Sequence, residues 1–250
     1  MDILAVVKPL DDKGHHETAS RVLQIIGQIF RYAVILGKVR QNPVTDLRGA
    51  LKPHKVVHRA SVTSPPKVGQ LLRDIDRYEG YFPLVCALKL APMVFTRPSE
   101  LRAAEWKEFD LTKGEWRIPA ERMKMRETHI VPLSRQALTV LEELRLYSGD
   151  GKYLFPSIRT SVRPISDATM LNALRRMGYE KHEISVHGFR SLASTLLNES
   201  GYNADWIERQ LAHSERNGVR AAYNYAEYLP ERRRMMQEWA DYLDELKNAA

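Results

Sequence analysis

The sequence predicts a mainly α fold with one small antiparallel β-sheet, an α+β arrangement preceded by a shorter helical piece. Three observations predict it. Apolar residues recur at spacings of three and four over most of the chain, the period of a helix with one buried face. Between residues 109 and 133 that period gives way to short alternating runs broken by Gly and polar turns, the pattern of a meander. The stretch Lys52-Pro-His-Lys-Val-Val-His-Arg59, followed by Ser64-Pro-Pro66, is basic and punctuated by proline, and it divides the chain.

The elements follow in order. Before the divide there is one convincing long helix, with Val22, Ile25, Ile26, Ile29, Phe30, Ala33 and Leu36 as its apolar stripe and Gly37 as its end. Arg21, Gln24, Gln28 and Arg31 fall on its other flanks, so a core face and a basic face are expected, and Asn42-Pro43 closes the element. About fifty residues bury too little surface to stand easily alone, which suggests the tail of a domain. After a linker over 52–66, helical patterns cover 68–75 and 82–93, the second ending near Phe95. Phe95-Thr-Arg-Pro-Ser-Glu-Leu101 opens another helix, with Pro98 at its first position and Glu100 placed to reach back to a backbone N–H. Arg97 then stands at the N-cap, where Ser or Asp would cap better, which points to a guanidinium that serves elsewhere, the alternative being an ordinary surface arginine. Residues 109–114, 115–120 and 128–133 form the meander. Ser134 caps a helix marked by Ala137, Leu138, Val140, Leu141, Leu144 and Leu146, and further helices follow Ser166, Val186 and Asn203. Met235, Trp239, Tyr242, Leu243 and Leu246 stripe a last helix over 231–247. The charged runs Glu142-Glu-Leu-Arg145 and Glu231-Arg-Arg-Arg234 read as solvated faces.

Composition narrows the function. The 250 residues are 44% hydrophobic and 28% charged, as in an ordinary globular protein, with a net charge of +7 that favours a polyanionic partner. Between residues 20 and 59 lie eight bases, Arg21, Arg31, Lys38, Arg40, Arg48, Lys52, Lys55 and Arg59, against the single acid Asp46. The lone Cys86, inside Leu84-Val-Cys-Ala-Leu-Lys-Leu90, excludes an internal disulfide and a cysteine zinc site and reads as a buried thiol. No apolar run reaches the length of a membrane span, and Met1-Asp-Ile-Leu lacks the basic start of a signal peptide, so a cytoplasmic protein with no membrane contact is expected. Carboxylates are not gathered as a magnesium-dependent phosphodiester cleavage would need, and no metal or cofactor is expected.

The residues that bear chemistry form an ordered set: Arg97, Lys124 in the second turn of the meander, His187-Gly-Phe-Arg190, His213 and, ten residues later, Tyr223. In a helical turn His187 and Arg190 are neighbours able to address one anion. Two arginines suit a phosphate whose oxygens gather negative charge, because each offers a permanently charged, bidentate fork. Singly, each histidine reads more easily as a surface or structural group.

Taken together the set resembles the signature of the tyrosine recombinase, or phage integrase, family, and especially the integrases of prophages and genomic islands. The resemblance runs through Phe95-Thr-Arg-Pro-Ser-Glu-Leu-Arg-Ala-Ala-Glu-Trp106, Pro119-Ala-Glu-Arg-Met-Lys-Met125, His129-Ile-Val-Pro-Leu-Ser134, His187-Gly-Phe-Arg190 and Gln210-Leu-Ala-His213. It continues through Val219-Arg-Ala-Ala-Tyr-Asn224 and Met235-Met-Gln-Glu-Trp-Ala-Asp-Tyr242. It implies a partial core-binding domain over 1–51, the basic linker over 52–66 and a catalytic domain over 67–250, a fragment without the family's usual arm-binding domain. It also implies cleavage and rejoining of double-stranded DNA at core-type sites through a 3′-phosphotyrosine. In that chemistry Tyr223 is the nucleophile, Arg97 and Arg190 hold the phosphate, Lys124 protonates the departing 5′ oxygen, His187 assists proton transfer, and His213 hydrogen-bonds the phosphate. Tyr225 and Tyr228 lie close by, and Arg122 and Arg126 flank Lys124, although arginine is the worse acid. Arg21, Arg31, Lys38, Arg40, Lys52, Lys55 and Arg59 are the expected DNA contacts. A homotetramer on DNA is implied, with the last helix passed to a neighbouring subunit; the alternative for that helix is an ordinary place in the core of its own domain. The rival readings are a type IB topoisomerase and a non-catalytic DNA-binding protein on the same scaffold.

Overall fold

A computed structural model describes residues 2–47, 49–53, 61–213 and 228–249. The chain divides into two compact units, Met1–His58 and Arg59–Ala250.

In the first unit α1 (Ile3–Asp12) packs on α2 (His16–Ile35), burying Val7 and Ala19. Sequence periodicity anticipated α2 alone. Pro9 inside α1 removes one backbone donor, and Lys8, Asp11 and Asp12 interrupt its apolar pattern, which masks the element. Asp11 is nevertheless buried: its carboxylate accepts from Lys8 Nζ at 3.3 Å and from the Lys52 N–H at 3.4 Å and lies 2.6 Å from His16 Nδ1. The expected apolar stripe of α2 is only partly covered. Val22, Ile26, Phe30 and Ala33 are half-buried, whereas Ile25, Ile29 and Leu36 are exposed. The expected outer flank instead lines a groove, with Gln24, Gln28 and Arg31 facing the turn after Asn42. That turn is seated at Gly27, whose carbonyl accepts from Asn42 Nδ2 at 2.9 Å and where a Cβ would meet Val44 Cγ1 at 3.2 Å.

In the second unit α3 (Pro65–Arg77) begins inside the expected linker, because Pro65 and Pro66 occupy the first helical positions, where a missing N–H costs nothing. Next come α4 (Phe82–Val94) and the short α5 (Pro98–Arg102). Strands β1 (Phe109–Asp110), β2 (Glu115–Ile118) and β3 (His129–Pro132) make an antiparallel sheet in that order, with Trp116 opposite both Phe109 and Val131. The Phe109 and Trp116 rings stack at 5.1 Å. Helix α6 (Arg135–Ser148) is capped by Ser134, whose Oγ accepts from the Ala137 N–H at 3.3 Å. A second hairpin, β4 (Pro156–Ser157) and β5 (Thr160–Pro164), was not legible because none of its residues is buried and they do not alternate. Helices α7 (Asp167–Arg176), α8 (Gly188–Glu199), α9 (Ala204–Gln210) and α10 (Leu229–Asn248) complete the described unit.

The core is built around α4, which is apolar on nearly every side and contacts α3, α6, α7, α8 and α10. Cys86 lies within it, and burial raises its thiol pKa to about 12. Two sequence expectations fail at residue level. Leu146 leaves the stripe of α6 and is 93% exposed, while Arg232, inside a run that reads as solvated, is 0% exposed. The larger correction concerns α10. Met235, Met236, Trp239 and Leu243 are buried within their own unit, against α3, α4, α9 and β3, rather than offered to a neighbour. Trp239 Nε1 donates to the Pro92 carbonyl at 2.9 Å, and Arg73 Nη1 donates to the Lys247 and Ala249 carbonyls at the end of α10. The stripe is wide enough to fill the gap between α3 and α4, so the unit's own core satisfies it.

Candidate active site

Two helix ends form the frame of the site. Helix α4 stops at Phe95, which is left-handed with φ 34°, and α9 is followed by a turn in which Ala212 is left-handed with φ 49°. A side chain at such an angle costs about 1 kcal/mol or more, so something must hold each residue there. The C-terminal ends of helices also leave carbonyls without partners and carry partial negative charge, so cations are at home beside them.

Those cations are Arg190 and Arg97. Arg190 donates through Nη1 to the Phe95 carbonyl at 2.8 Å and through Nη2 to the Leu211 carbonyl at 2.7 Å, bridging the two helix ends. Arg97 donates through Nη2 to the Ala212 carbonyl at 3.0 Å and through Nη1 to Glu100 Oε1 at 2.7 Å. The other Glu100 oxygen accepts the Arg97 backbone N–H at 2.8 Å, closing the N-terminus of α5. Thus Arg97 occupies the N-cap position, as its sequence context requires, while its guanidinium reaches across to α9. Arg190 is only 4% exposed, and burial, reinforced by the charge of Arg97, lowers its pKa to about 10. It remains a cation at neutral pH.

His213 joins this pair. Its Nε2 lies 3.2 Å from Arg190 Nη2, and its Nδ1 lies 2.8 Å from Glu208 Oε2. A guanidinium can only donate, so Nε2 accepts, and the proton on Nδ1 is then directed at the Glu208 carboxylate. His187 is the N-cap of α8 with already helical backbone angles, φ −68° and ψ −24°, which places it one turn before Arg190 on the same face. Lys124 is exposed on the turn between β2 and β3. Its neighbour Arg122 is committed elsewhere, pairing with both Glu108 carboxylate oxygens and donating to the Glu100 carbonyl at 2.6 Å. Arg126, left-handed at φ 56°, is exposed like Lys124.

The structure therefore brings Arg97, Arg190 and His213 together, sets His187 one turn away and leaves Lys124 on an exposed turn. Tyr223 and Tyr225 lie outside the described residues, as do Arg48, Lys55 and Arg59. Arg21, Arg31, Lys38, Arg40 and Lys52 are exposed on the first unit. Among the described residues no group of three or more His, Cys, Asp or Glu side chains is arranged to hold a metal ion, and no described helix is long and apolar enough to cross a membrane.

Sequence reasoning missed the buried polar layer behind the site. Gln210, His129 and Arg232 are all buried, and His129 Nε2 donates to the Gln210 carbonyl at 3.1 Å. A signal for Arg232 was present, since it stands three, four, seven and eleven residues before Met235, Met236, Trp239 and Leu243, on the apolar stripe itself.

Comparison with known proteins places these residues in a family context. The phage integrase family model matches residues 62–229, and the phage integrase central domain model matches residues 1–50. The integrase of Enterobacteria phage P4 is 45% identical over 98% of this chain and 59% of its own length. Prophage integrase IntZ of Escherichia coli K12 is 39% identical over 98% of this chain and 60% of its own. The chain thus spans about three fifths of the curated relatives it matches. Among solved structures, a lambda integrase dimer bound to a COC′ core site has a TM-score of 0.67 at 21% identity, covering 85% of this chain and 78% of that one. The Tn1549 transposon integrase in complex with a circular intermediate DNA has a TM-score of 0.69 at 14% identity, covering 94% and 83%. At these identities both show a shared fold.

Proposed function

This chain belongs to the phage integrase family, and from that premise we propose that it is the core-binding and catalytic part of a site-specific recombinase that cleaves and rejoins duplex DNA through a 3′-phosphotyrosine. The observation that carries this reading is the convergence of Arg97 and Arg190 on the carbonyls of Leu211 and Ala212, with His213 against Arg190. Two fixed guanidinium groups beside a helix end make a site preorganised for a phosphate oxyanion.

In the proposed reaction the Tyr223 oxygen attacks a backbone phosphate. Arg97 and Arg190 hold the non-bridging oxygens as charge builds, and His213 adds a hydrogen bond once its Nε2 leaves Arg190 and carries the ring proton. Lys124 delivers a proton to the departing 5′ oxygen, and His187 assists proton transfer at the tyrosine. The new phosphotyrosine bond retains the energy of the broken phosphodiester, so a 5′-hydroxyl from another strand reverses the step with no metal, nucleotide or other cofactor. Residues 1–51 are proposed as the core-binding part, the residues from 52 up to α3 as a basic linker, and the rest of the chain as the catalytic part. Arg21, Arg31, Lys38, Arg40, Lys52, Lys55 and Arg59 would contact DNA backbone at core-type sites. By analogy with a lambda integrase tetramer bound to a Holliday junction, assembly on DNA is proposed to be tetrameric. Action on DNA inside the host cell places the protein in the cytoplasm.

A nicked suicide duplex, built from the core sequence selected by binding from a random pool, tests the chemistry. The protein should form a 3′ adduct in EDTA, and Tyr223→Phe should bind the duplex and form none. Adduct that needs Mg²⁺ refutes the metal-free step, and adduct that survives in Tyr223→Phe but vanishes in Tyr225→Phe refutes the nucleophile. Relaxation of supercoiled DNA without strand exchange would instead mark a type IB topoisomerase.

A further inference from the structure

Gln210 sits where the two helix ends of the site meet, and its fully buried side chain has partners on both sides. Its Nε2 points to the Val94 carbonyl at 3.4 Å, one residue before the Phe95 carbonyl that Arg190 grips. Its own backbone leads into Leu211 and Ala212, whose carbonyls are held by Arg190 and Arg97. Its Oε1 accepts two N–H groups of Arg232, Nε at 3.2 Å and Nη2 at 2.7 Å. Arg232 lies in the first turn of α10 and also donates to the Ile130 carbonyl of β3.

We propose that Arg232 is a positioning residue for the strand-cleavage step, acting through Gln210 on the turn that carries the Leu211 and Ala212 carbonyls and His213. This rests on the recombinase reading above. An amide can turn end for end, and only one orientation suits this place. A guanidinium presents donors alone, so it fixes Oε1 toward α10 and thereby aims the NH₂ group at the end of α4. Without Arg232 the amide loses that constraint, and the distance between the ends of α4 and α9 is left to Arg190 and Arg97, the same two side chains that must also meet the phosphate. The anchors of both phosphate-binding arginines would then shift together. Arg232 also ties the start of α10 to the end of α9, the two described elements between which Tyr223 lies in the sequence. Displacement of reacting groups by about an ångström costs on the order of 100-fold in rate.

The test uses the full chain and the selected nicked duplex, with single-turnover adduct formation at saturating DNA. Arg232→Met keeps the length and removes the donors. Its rate should fall on the order of 10- to 100-fold, with duplex affinity within about 2-fold of the parent. Arg232→Lys, which restores one donor, should recover part of the rate, and adding Gln210→Leu to Arg232→Met should slow it no further, since the two act as one unit. An unchanged rate in Arg232→Met overturns the proposal. A smaller adduct amplitude at the parental rate also overturns it, because only the folded fraction would have changed, and so does failure of both Arg232 variants to fold. Absence of adduct from the parent protein itself would instead overturn the recombinase reading, and this inference with it.

Discussion

His129 carries its imidazole inside the core, where burial and the nearby Arg232 charge lower its pKa to about 3 from an ordinary 6.5. Between those two values the unfolded chain binds a proton that the folded chain refuses. Stability therefore falls as the pH drops below 6.5, with a slope approaching about 1.4 kcal/mol per pH unit that flattens near 3. Urea unfolding at a series of pH values should show this loss in the parent protein and a shallower one in His129→Gln, which keeps a donor for the Gln210 carbonyl but cannot titrate; identical profiles would remove His129 as the cause. Residue scale is also where the sequence was least complete. Arg97 could be singled out because arginine is an odd N-cap, and His187 with Arg190 because a helical turn makes them neighbours. That Arg190 spans two helix ends 116 residues apart in sequence, Phe95 and Leu211, follows only from tertiary packing. The burial of Arg232 was written in the helical period but hidden by its two arginine neighbours.

Among the elements, α10 departs furthest from expectation. Its apolar stripe was plain in the sequence, yet periodicity says only that a surface is covered, not which body covers it. The crossing with α3 decides the matter: a Cβ placed on Gly69 would lie 2.1 Å from the Leu246 carbonyl oxygen, so the two backbones touch. Gly69→Ala should push the helices apart and cost about 1–3 kcal/mol, the usual range for overpacking. Thermal unfolding will read it, and an unchanged midpoint would show that α10 is not seated there. The meander and the cap at Ser134 were legible because turns and caps announce themselves locally. α1 and the β4–β5 hairpin were not, the first because Pro9 and three charged residues break its stripe, the second because the hairpin has no buried face to pattern.

For the whole molecule, charge is divided unevenly, with a cluster of bases on the first unit. If those bases meet DNA backbone, each contact releases counterions and adds roughly 0.9 to the slope of log affinity against log salt. Replacing Arg21, Arg31, Lys38 and Arg40 with glutamine in the full chain should flatten that slope, and an unaltered slope would assign the phosphate contacts to the second unit. The place of α10 has a further consequence, for synthesis. It follows in sequence every element it packs on, so a chain leaving the ribosome exposes the apolar bed around Val94, Phe95 and Pro92 until the last helix emerges. Arg232 emerges at the same moment, and with it the bond that sets Gln210. On the recombinase reading proposed above, a chain halted before α10 would present its basic first unit yet lack the Arg232 clasp on Gln210, so DNA cleavage would await synthesis of α10.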